Sequence, residues 1–389
     1  MAKPSQKSYL GRGALSRLGE LLDETACRSI FLVKDPGAFD ESGAARLVKQ
    51  AAADRKLVSF DAFSSNPKWP DIMDAVEAFR QGPCDLILAV GGGSCIDIAK
   101  LVSLFALQHS APEDLLLGSA GPVEPVPPVV AIPTTAGSGS EATHFAVAYR
   151  DGAKYSVTHE KLLPRYSVVD PALTDSLPPL WTACSGLDAF CQAVESLWAV
   201  GSNEESAGYS RRAITLAARH LANAALNPTR EDRDGMSEAA HLAGKAINIS
   251  RTTACHALSY TLTSKLQVPH GQAVAVTLGA VMAYNYGAGP EDCLDPRGPG
   301  HVRARIREIL QLLGADDIEA GRRKIDSLIE SAGLSPSIFA LGVKTPEDIE
   351  VLAEGVNAER LGNNPRRFSR KNILAMLQEL QSRSHPGES

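Results

Sequence analysis

Short apolar runs alternate with helix-length amphipathic stretches along the first half of the chain. SIFLVKD, ESGAARLVKQAAADRK, LVSFDAF, PDIMDAVEAFRQG, DLILAVGGG, SCIDIAKLVSLFALQ and PPVVAIPTT follow one another. Runs this uniformly apolar are strands covered on both faces, and the intervening helices supply the cover, so the pattern predicts a parallel sheet of the α/β nucleotide-binding kind. From about Pro178 the strand signal stops. TACSGLDAFCQAVESLWAV, EESAGYSRRAITLAARHLANAAL, DGMSEAAHLAGKAIN and the segments after them carry helical periodicity, broken by the loop-forming GAGPEDCLDPRGPGH. We expect an α/β N-terminal dinucleotide-binding domain over 1–178 and an all-α C-terminal domain over 179–389.

Composition narrows the class. At 389 residues, 44% hydrophobic and 22% charged, the chain is long enough for two ordinary soluble domains. Its apolar runs fall short of the roughly 20 residues a bilayer needs, and MAKPSQKSYLGRG lacks the apolar stretch of a secretory signal, so no membrane partner and a cytoplasmic location are expected. Seven scattered cysteines without a C-x-x-C pair read as reduced, mostly buried residues. A net charge of −6 with no basic tract argues against a nucleic-acid partner.

Two turns look suited to a dinucleotide. The strand Asp85–Val90 runs into Gly91, Gly92, Gly93 and Ser94, and a helix carrying Asp97 follows. Glycines and a helix N-terminus let backbone N–H groups approach a phosphate, although neither G-x-G-x-x-G nor a P-loop is present. The strand Pro128–Ile132 delivers Pro133, Thr134, Thr135, Ala136, Gly137 and Ser138, whose hydroxyls can bond phosphate and ribose; a tight turn has the same composition. Asp35 follows the first strand, where a carboxylate accepts hydrogen bonds from a ribose and favours NAD over NADP. The ordinary alternative is a turn-forming Asp before Pro36, and the neighbouring Lys34 works against the NAD argument.

The helical half carries the candidate metal ligands. Asp188 and Gln192 are four residues apart, so on a helix both project from one face. His256 lies in TTACHALSYTL, and His270 opens PHGQAVAVTLGAVMAYN after Pro269. A lone histidine on a helix is more often a packed or surface residue. Together, a carboxylate, an amide and two imidazoles suit iron, zinc or manganese and leave a position open, which is the habit of catalytic sites. The four are expected to line a cleft facing the α/β half.

With GGGSCIDIAK, IPTTAGSGSEAT, VDPALTDSLP, GLDAFCQAVES and CHALSYTLTSKLQVPHG in order, the chain resembles the iron-containing (group III) alcohol dehydrogenases over nearly its whole length. The resemblance implies the dehydroquinate synthase-like fold, an NAD(P)H cofactor, a divalent metal (Fe(II) foremost, or Zn(II) or Mn(II)) and a homodimer. It maps Asp188, His256 and His270 onto three ligands. Gln192 stands where the family usually has another histidine, and Tyr260 where a further histidine often stands near the nicotinamide. AGKAINISRTTACHALSYTLTSKLQVPHG, with FAVAYRDGAKYS upstream, resembles the phosphonoacetaldehyde reductase (hydroxyethylphosphonate dehydrogenase) branch, and a branch oxidising sugar acids is similar.

The activity so implied is metal-dependent reduction of a small anionic aldehyde. Tyr260, a turn after His256, is the candidate proton donor, against the alternative of a packed tyrosine bonded to a carbonyl. Arg251 is the first candidate for binding the substrate's anionic group, and Arg366 and Lys154 are others; by the resemblance Lys154 touches the cofactor ribose. Solvated surface charge is the default reading for all three. The rival functions are a metal-dependent lyase of the dehydroquinate synthase type, which uses NAD without net oxidation, and a nucleotide-binding sensor that has lost its metal through Gln192.

Overall fold

The structure is a computed structural model that describes residues 6–356 and 360–383. The chain packs as two compact units, Met1–Leu177 and Pro178–Ser389.

The first unit contains strands β1 (Lys7–Leu10), β2 (Ser29–Lys34), β3 (Lys56–Phe60), β4 (Leu86–Gly91), β5 (Val129–Pro133), β6 (Phe145–Arg150), β7 (Ala153–Thr158) and β8 (Tyr166–Val169). Its helices are α1 (Leu18–Glu24), α2 (Pro36–Glu41), α3 (Ala44–Ala51), α4 (Trp69–Gln81), α5 (Gly93–Phe105) and α6 (Pro112–Leu117). Six strands form a parallel sheet in the order β1-β8-β5-β4-β2-β3. Side chains alternate between its two faces: Phe31, Val33, Ile87, Ala89, Val129 and Ala131 enter one core, while Ile30, Leu32, Leu86, Leu88, Val130 and Ile132 enter the other. Two cores explain why these strands lack polar alternation.

The predicted helix over ESGAARLVKQAAADRK is interrupted. Gly43, at φ 78°, separates α2 from α3, and the chain is already extended as β3 by Lys56. Strands β1 and β8 and the antiparallel hairpin β6–β7 lie outside the predicted pattern. The hairpin had a readable signal in Asp151–Gly152, both at positive φ, as a two-residue hairpin turn requires. β8 has none, being only four residues long, yet it sits buried between β1 and β5.

Along the chain, β2 is followed by β3 on one side of it and then by β4 on the other. The carboxyl ends of β2 and β4 therefore flank a topological switch point, the usual ligand crevice of an open α/β sheet. Asp35 and Gly91–Gly93 occupy those ends.

Lys100 fixes the region beside this point. It is fully buried in α5, and its ammonium lies 2.9–3.0 Å from the Ser140 and Thr143 hydroxyls and the Thr143 and Phe145 carbonyls. Ser140 donates in turn to Asp97, which also accepts from Val147 N at 3.0 Å. Helix α5 thus grips the connection that follows β5.

The second unit is helical: α7 (Pro179–Trp198), α8 (Glu204–Leu226), α9 (Arg230–Ser250), α10 (Ala254–Leu266), α11 (His270–Tyr286), α12 (Pro299–Leu312), α13 (Ile318–Ser331), α14 (Pro346–Glu354) and α15 (Arg370–Arg383). Helix α7 is buried from Thr182 onward, apart from the half-buried Ser185, as the central element of a bundle must be. Among the described residues no helix is long and apolar enough to cross a membrane.

Burial pulls the Lys100 ammonium down to about 8, against the opposing pull of Asp97 and Glu141. Between that value and its ordinary 10.5 the unfolded chain binds more protons than the native one, so Lys100 makes stability rise with pH, by ~3 kcal/mol at most. Comparing unfolding midpoints at pH 7.5 and 10, the wild-type protein should gain relative to Lys100→Met; parallel pH dependences would contradict this.

Candidate active site

The two glycine- and hydroxyl-rich turns meet in the first unit. Gly92 starts α5 as its N-cap, and a Cβ on Gly93 would lie 2.6 Å from the Ser138 hydroxyl. A Cβ on Gly91 would press on Cys95 and Asp35, so only glycine allows this approach. Thr134 presents a buried hydroxyl with no hydrogen-bond partner among the described residues, and Thr135 packs against Gly92. Ser94 accepts from Asn66 N at 3.1 Å, and Ser138 from Ser140 N at 3.3 Å. Asp35 caps α2 by accepting from Ala38 N at 3.0 Å, so the turn-forming alternative holds for one of its oxygens. Lys34 is paired with Asp61 at 2.7 Å, which removes the objection its charge raised.

Asp97 is committed to Ser140 and Val147, and burial pushes its carboxyl up despite Lys100 and Ser140. It shapes the turn. Lys154 lies on β7 with its ammonium 5.9 Å from the centre of the Tyr149 ring.

In the second unit, Asp188, His256 and His270 each offer one ligand atom, all within 4.8 Å of one another. His256 Nε2 is 3.2 Å from Asp188 Oδ1, and His270 Nε2 is 4.0 Å from the same oxygen. Asp188 and His256 are 7% and 6% exposed, and His270 is half-buried at the first position of α11. Gln192 is buried one turn beyond Asp188 on α7. Tyr260 is half-buried one turn beyond His256 on α10.

Glu195, which the sequence pattern does not single out, fixes His256 within this cluster. It is 0% exposed and lies on the face of α7 that carries Asp188 and Gln192, at spacing i, i+4, i+7. One oxygen accepts the His256 Nδ1 proton. The other accepts from Thr253 N (3.2 Å), Thr253 Oγ1 (2.7 Å) and Cys255 N (2.8 Å), so the carboxylate also caps the start of α10. Burial opposes its ionisation, but His256 and these donors outweigh that and hold its carboxyl below the usual range. For His256 burial likewise opposes charge, and Glu195 and Asp188 overcome it, pushing the imidazole up to about 9. With Nδ1 engaged, Nε2 is the nitrogen that faces Asp188, which is the tautomer control that histidine ligands require. Ser259 plays a lesser part near His270 Nδ1, at 3.5 Å.

Helix α11 reaches α7 through Gly271, where a Cβ would collide with the Cys184 carbonyl. This contact brings His270 to Asp188. Cys191 and Cys255 flank Gln192 and His256, but burial pushes both thiols up, so thiolate ligation is not on offer. Two imidazole nitrogens and a carboxylate, one imidazole oriented by a buried acid, fit a divalent transition metal.

Of the candidate anion-binding residues, Arg366 is excluded by its contacts. Its guanidinium bonds Asp292 and the Tyr284 carbonyl, both at 2.7 Å, and lies 4.1 Å from the centre of the Tyr284 ring. Arg251 is exposed, and among the described residues its guanidinium has no ion pair or hydrogen bond.

Residues 5–171 match the iron-containing alcohol dehydrogenase family, and residues 182–381 match the C-terminal domain of the Fe-containing alcohol dehydrogenase family. The chain belongs to the iron-containing alcohol dehydrogenase family. It is an oxidoreductase acting on a CH–OH group. The chain is 36% identical to a phosphonoacetaldehyde reductase of Streptomyces viridochromogenes over 80% of each chain, and 30% identical to a 1,3-propanediol dehydrogenase of Klebsiella pneumoniae over 96% of each. Among solved structures it resembles the sulfoacetaldehyde reductase of Bifidobacterium kashiwanohense in complex with NAD+, with a TM-score of 0.87, 28% identity and 98% of each chain covered.

The geometry of this alcohol dehydrogenase generates two expectations about metal. Glu195→Gln keeps a hydrogen-bonding group beside His256 but removes the charge, and should weaken metal binding by about 10- to 100-fold in chelator competition, the range for such outer partners; unchanged affinity would show that Glu195 serves only the fold. Gly271→Ala should lower the metal bound per purified chain by about tenfold or more. Gly279→Ala on the same helix, where the nearest atom would be an ordinary 3.4 Å away, should leave it intact. Elemental analysis of both variants decides the point.

Proposed function

We propose that this alcohol dehydrogenase reduces small anionic aldehydes with NADH, phosphonoacetaldehyde foremost, giving 2-hydroxyethylphosphonate. The observation that carries the reading is Arg251. It ends α9 with φ 63° and ψ 174°, a backbone region that is essentially glycine's alone and costs of order 1–3 kcal/mol for other residues. Strain of that size at an exposed arginine without a protein anion, five residues before the ligand His256, is consistent with a guanidinium kept for a ligand. A planar fork of N–H donors suits phosphonate, sulfonate or carboxylate oxygens. The Streptomyces relative, named for phosphonoacetaldehyde, points the same way.

Asp188, His256 and His270, with Gln192 beside them, would hold a divalent metal, Fe(II) foremost, which when bound supplies Lewis-acid polarisation of the carbonyl or alcohol oxygen. Glu195 would keep the Nδ1 proton of His256 in place, so that Nε2 is the nitrogen that gives up its proton to a metal. Tyr260 is the residue that would carry the proton exchanged with the product oxygen. The nicotinamide cofactor supplies the hydride. Gly91, Gly92, Gly93 and Ser94 with Thr134, Thr135 and Ser138 would cradle its phosphates, and Lys154 its ribose. At the end of β2, the negative charge of Asp35 would disfavour a 2′-phosphate, supporting NADH over NADPH.

On enzyme reconstituted with Fe(II), Arg251→Ala should raise KM for phosphonoacetaldehyde by about tenfold or more, the size of a lost charge-assisted hydrogen bond. KM for propionaldehyde should stay within about twofold of wild type. Equal changes for the two aldehydes would remove the anion-binding role, and a preference for sulfoacetaldehyde in the same panel would reassign the substrate.

A further inference from the structure

The backbone at Arg251 does not hold its conformation unaided. Asn363, in the short turn Arg360–Asn363, donates from its single amide nitrogen to the Ser250 carbonyl (2.8 Å) and the Thr252 carbonyl (2.9 Å), the residues on either side of Arg251. Its amide oxygen accepts from Gly201 N at 3.0 Å, and its own carbonyl accepts from Val200 N at 3.1 Å. Both N–H donors meet acceptors and the oxygen meets a donor, so the amide can face only this way. The clip ties three segments together: the chain leaving α7, the junction between α9 and α10, and the C-terminal turn. Gly201 belongs to it, because a Cβ there would lie 2.9 Å from the Ser250 carbonyl. On the far side, Ser250 Oγ bonds Ser196 Oγ at 2.7 Å, and Thr253 is held by Glu195.

We propose that Asn363 is a positioning residue for substrate selectivity: by clamping the carbonyls on both sides of Arg251 it holds that residue in a glycine-like conformation and so presents the guanidinium to the anionic end of the substrate. This rests on the anion-binding reading of Arg251. Asn363 itself touches no reacting atom. Without the clip, the peptide at Arg251 relaxes to an ordinary φ and its guanidinium leaves the position from which it selects an anion.

Two measurements on full-length, metal-reconstituted enzyme test this, and they fail separately. In the first, Asn363→Ala should raise the ratio of KM for phosphonoacetaldehyde to KM for propionaldehyde by about fivefold or more with kcat for propionaldehyde little changed, and should add nothing to that ratio in an Arg251→Ala background, because the two residues act as one unit. Loss of activity that is equal for both aldehydes, or effects that multiply in the double variant, would overturn the proposal. If Arg251→Ala alone leaves the ratio unchanged, the anion-binding reading falls and this selectivity role falls with it.

The second measurement needs no substrate. Asn363→Ala should lower Tm by clearly less in the wild-type background than in an Arg251→Gly background, since losing the clamp also releases the backbone strain at Arg251, which glycine never carries. Equal losses in the two backgrounds would show that Asn363 holds the segments together without restraining Arg251, and the proposal is overturned. Should Asn363→Ala yield no folded enzyme, Asn363→Gln, which displaces the amide by one methylene, carries both readouts.

Discussion

A carboxylate with no solvent exposure, placed between a histidine and the start of a helix, is the constraint on which the second unit's chemistry depends. Glu195 cannot stay ionised there unless its lone pairs are filled, and the donors that fill them are the His256 ring and the first N–H groups of α10. The same contacts fix the ring's orientation and seat α10 on α7. Charge burial and ligand geometry are therefore one requirement: removing the acid would loosen the helix and release the imidazole together. Gly271 sets the other side by letting the helix that bears His270 approach the α7 backbone closely.

Much of this is readable from the residues, for identifiable reasons. Asp188, His256 and His270 stand out because each is a polar side chain inside an apolar helical stretch, and the structure brings all three within ligand distance of one another. Glu195 obeys the same i, i+7 logic but hides at the end of α7, where an acid ordinarily faces water. Lys100 hides likewise in a helix-opening motif, although only burial among four oxygens explains a lysine with no exposure. Arg366 shows the opposite failure: its type and place suggest anion binding, and only coordinates reveal that Asp292 and Tyr284 already occupy it. In the first unit, the strands with two apolar faces were legible, whereas β1 and β8 depend on long-range pairing that leaves no local trace.

The anion-binding role proposed for Arg251 rests on a departure from local stability. Glycine would suit its φ of 63° better, and the surrounding carbonyls are gathered by an asparagine more than a hundred residues away in sequence. A chain selected for stability alone would have no reason to keep a long cation at that point. The contrast with Arg366 sharpens the reading. One arginine is engaged by the protein through Nε and Nη1, and the other is exposed, its guanidinium without an ion pair or hydrogen bond among the described residues.

The claim that organises the account is that Asp188, His256 and His270 share one metal ion. A crystal structure of the Fe(II)- or Zn(II)-loaded enzyme, with anomalous difference density collected at the metal edge, addresses it directly. A single strong peak bonded to Asp188 Oδ1, His256 Nε2 and His270 Nε2 is expected, with Glu195 still on His256 Nδ1. Density elsewhere, or an ion bound by fewer than two of these three side chains, would contradict it.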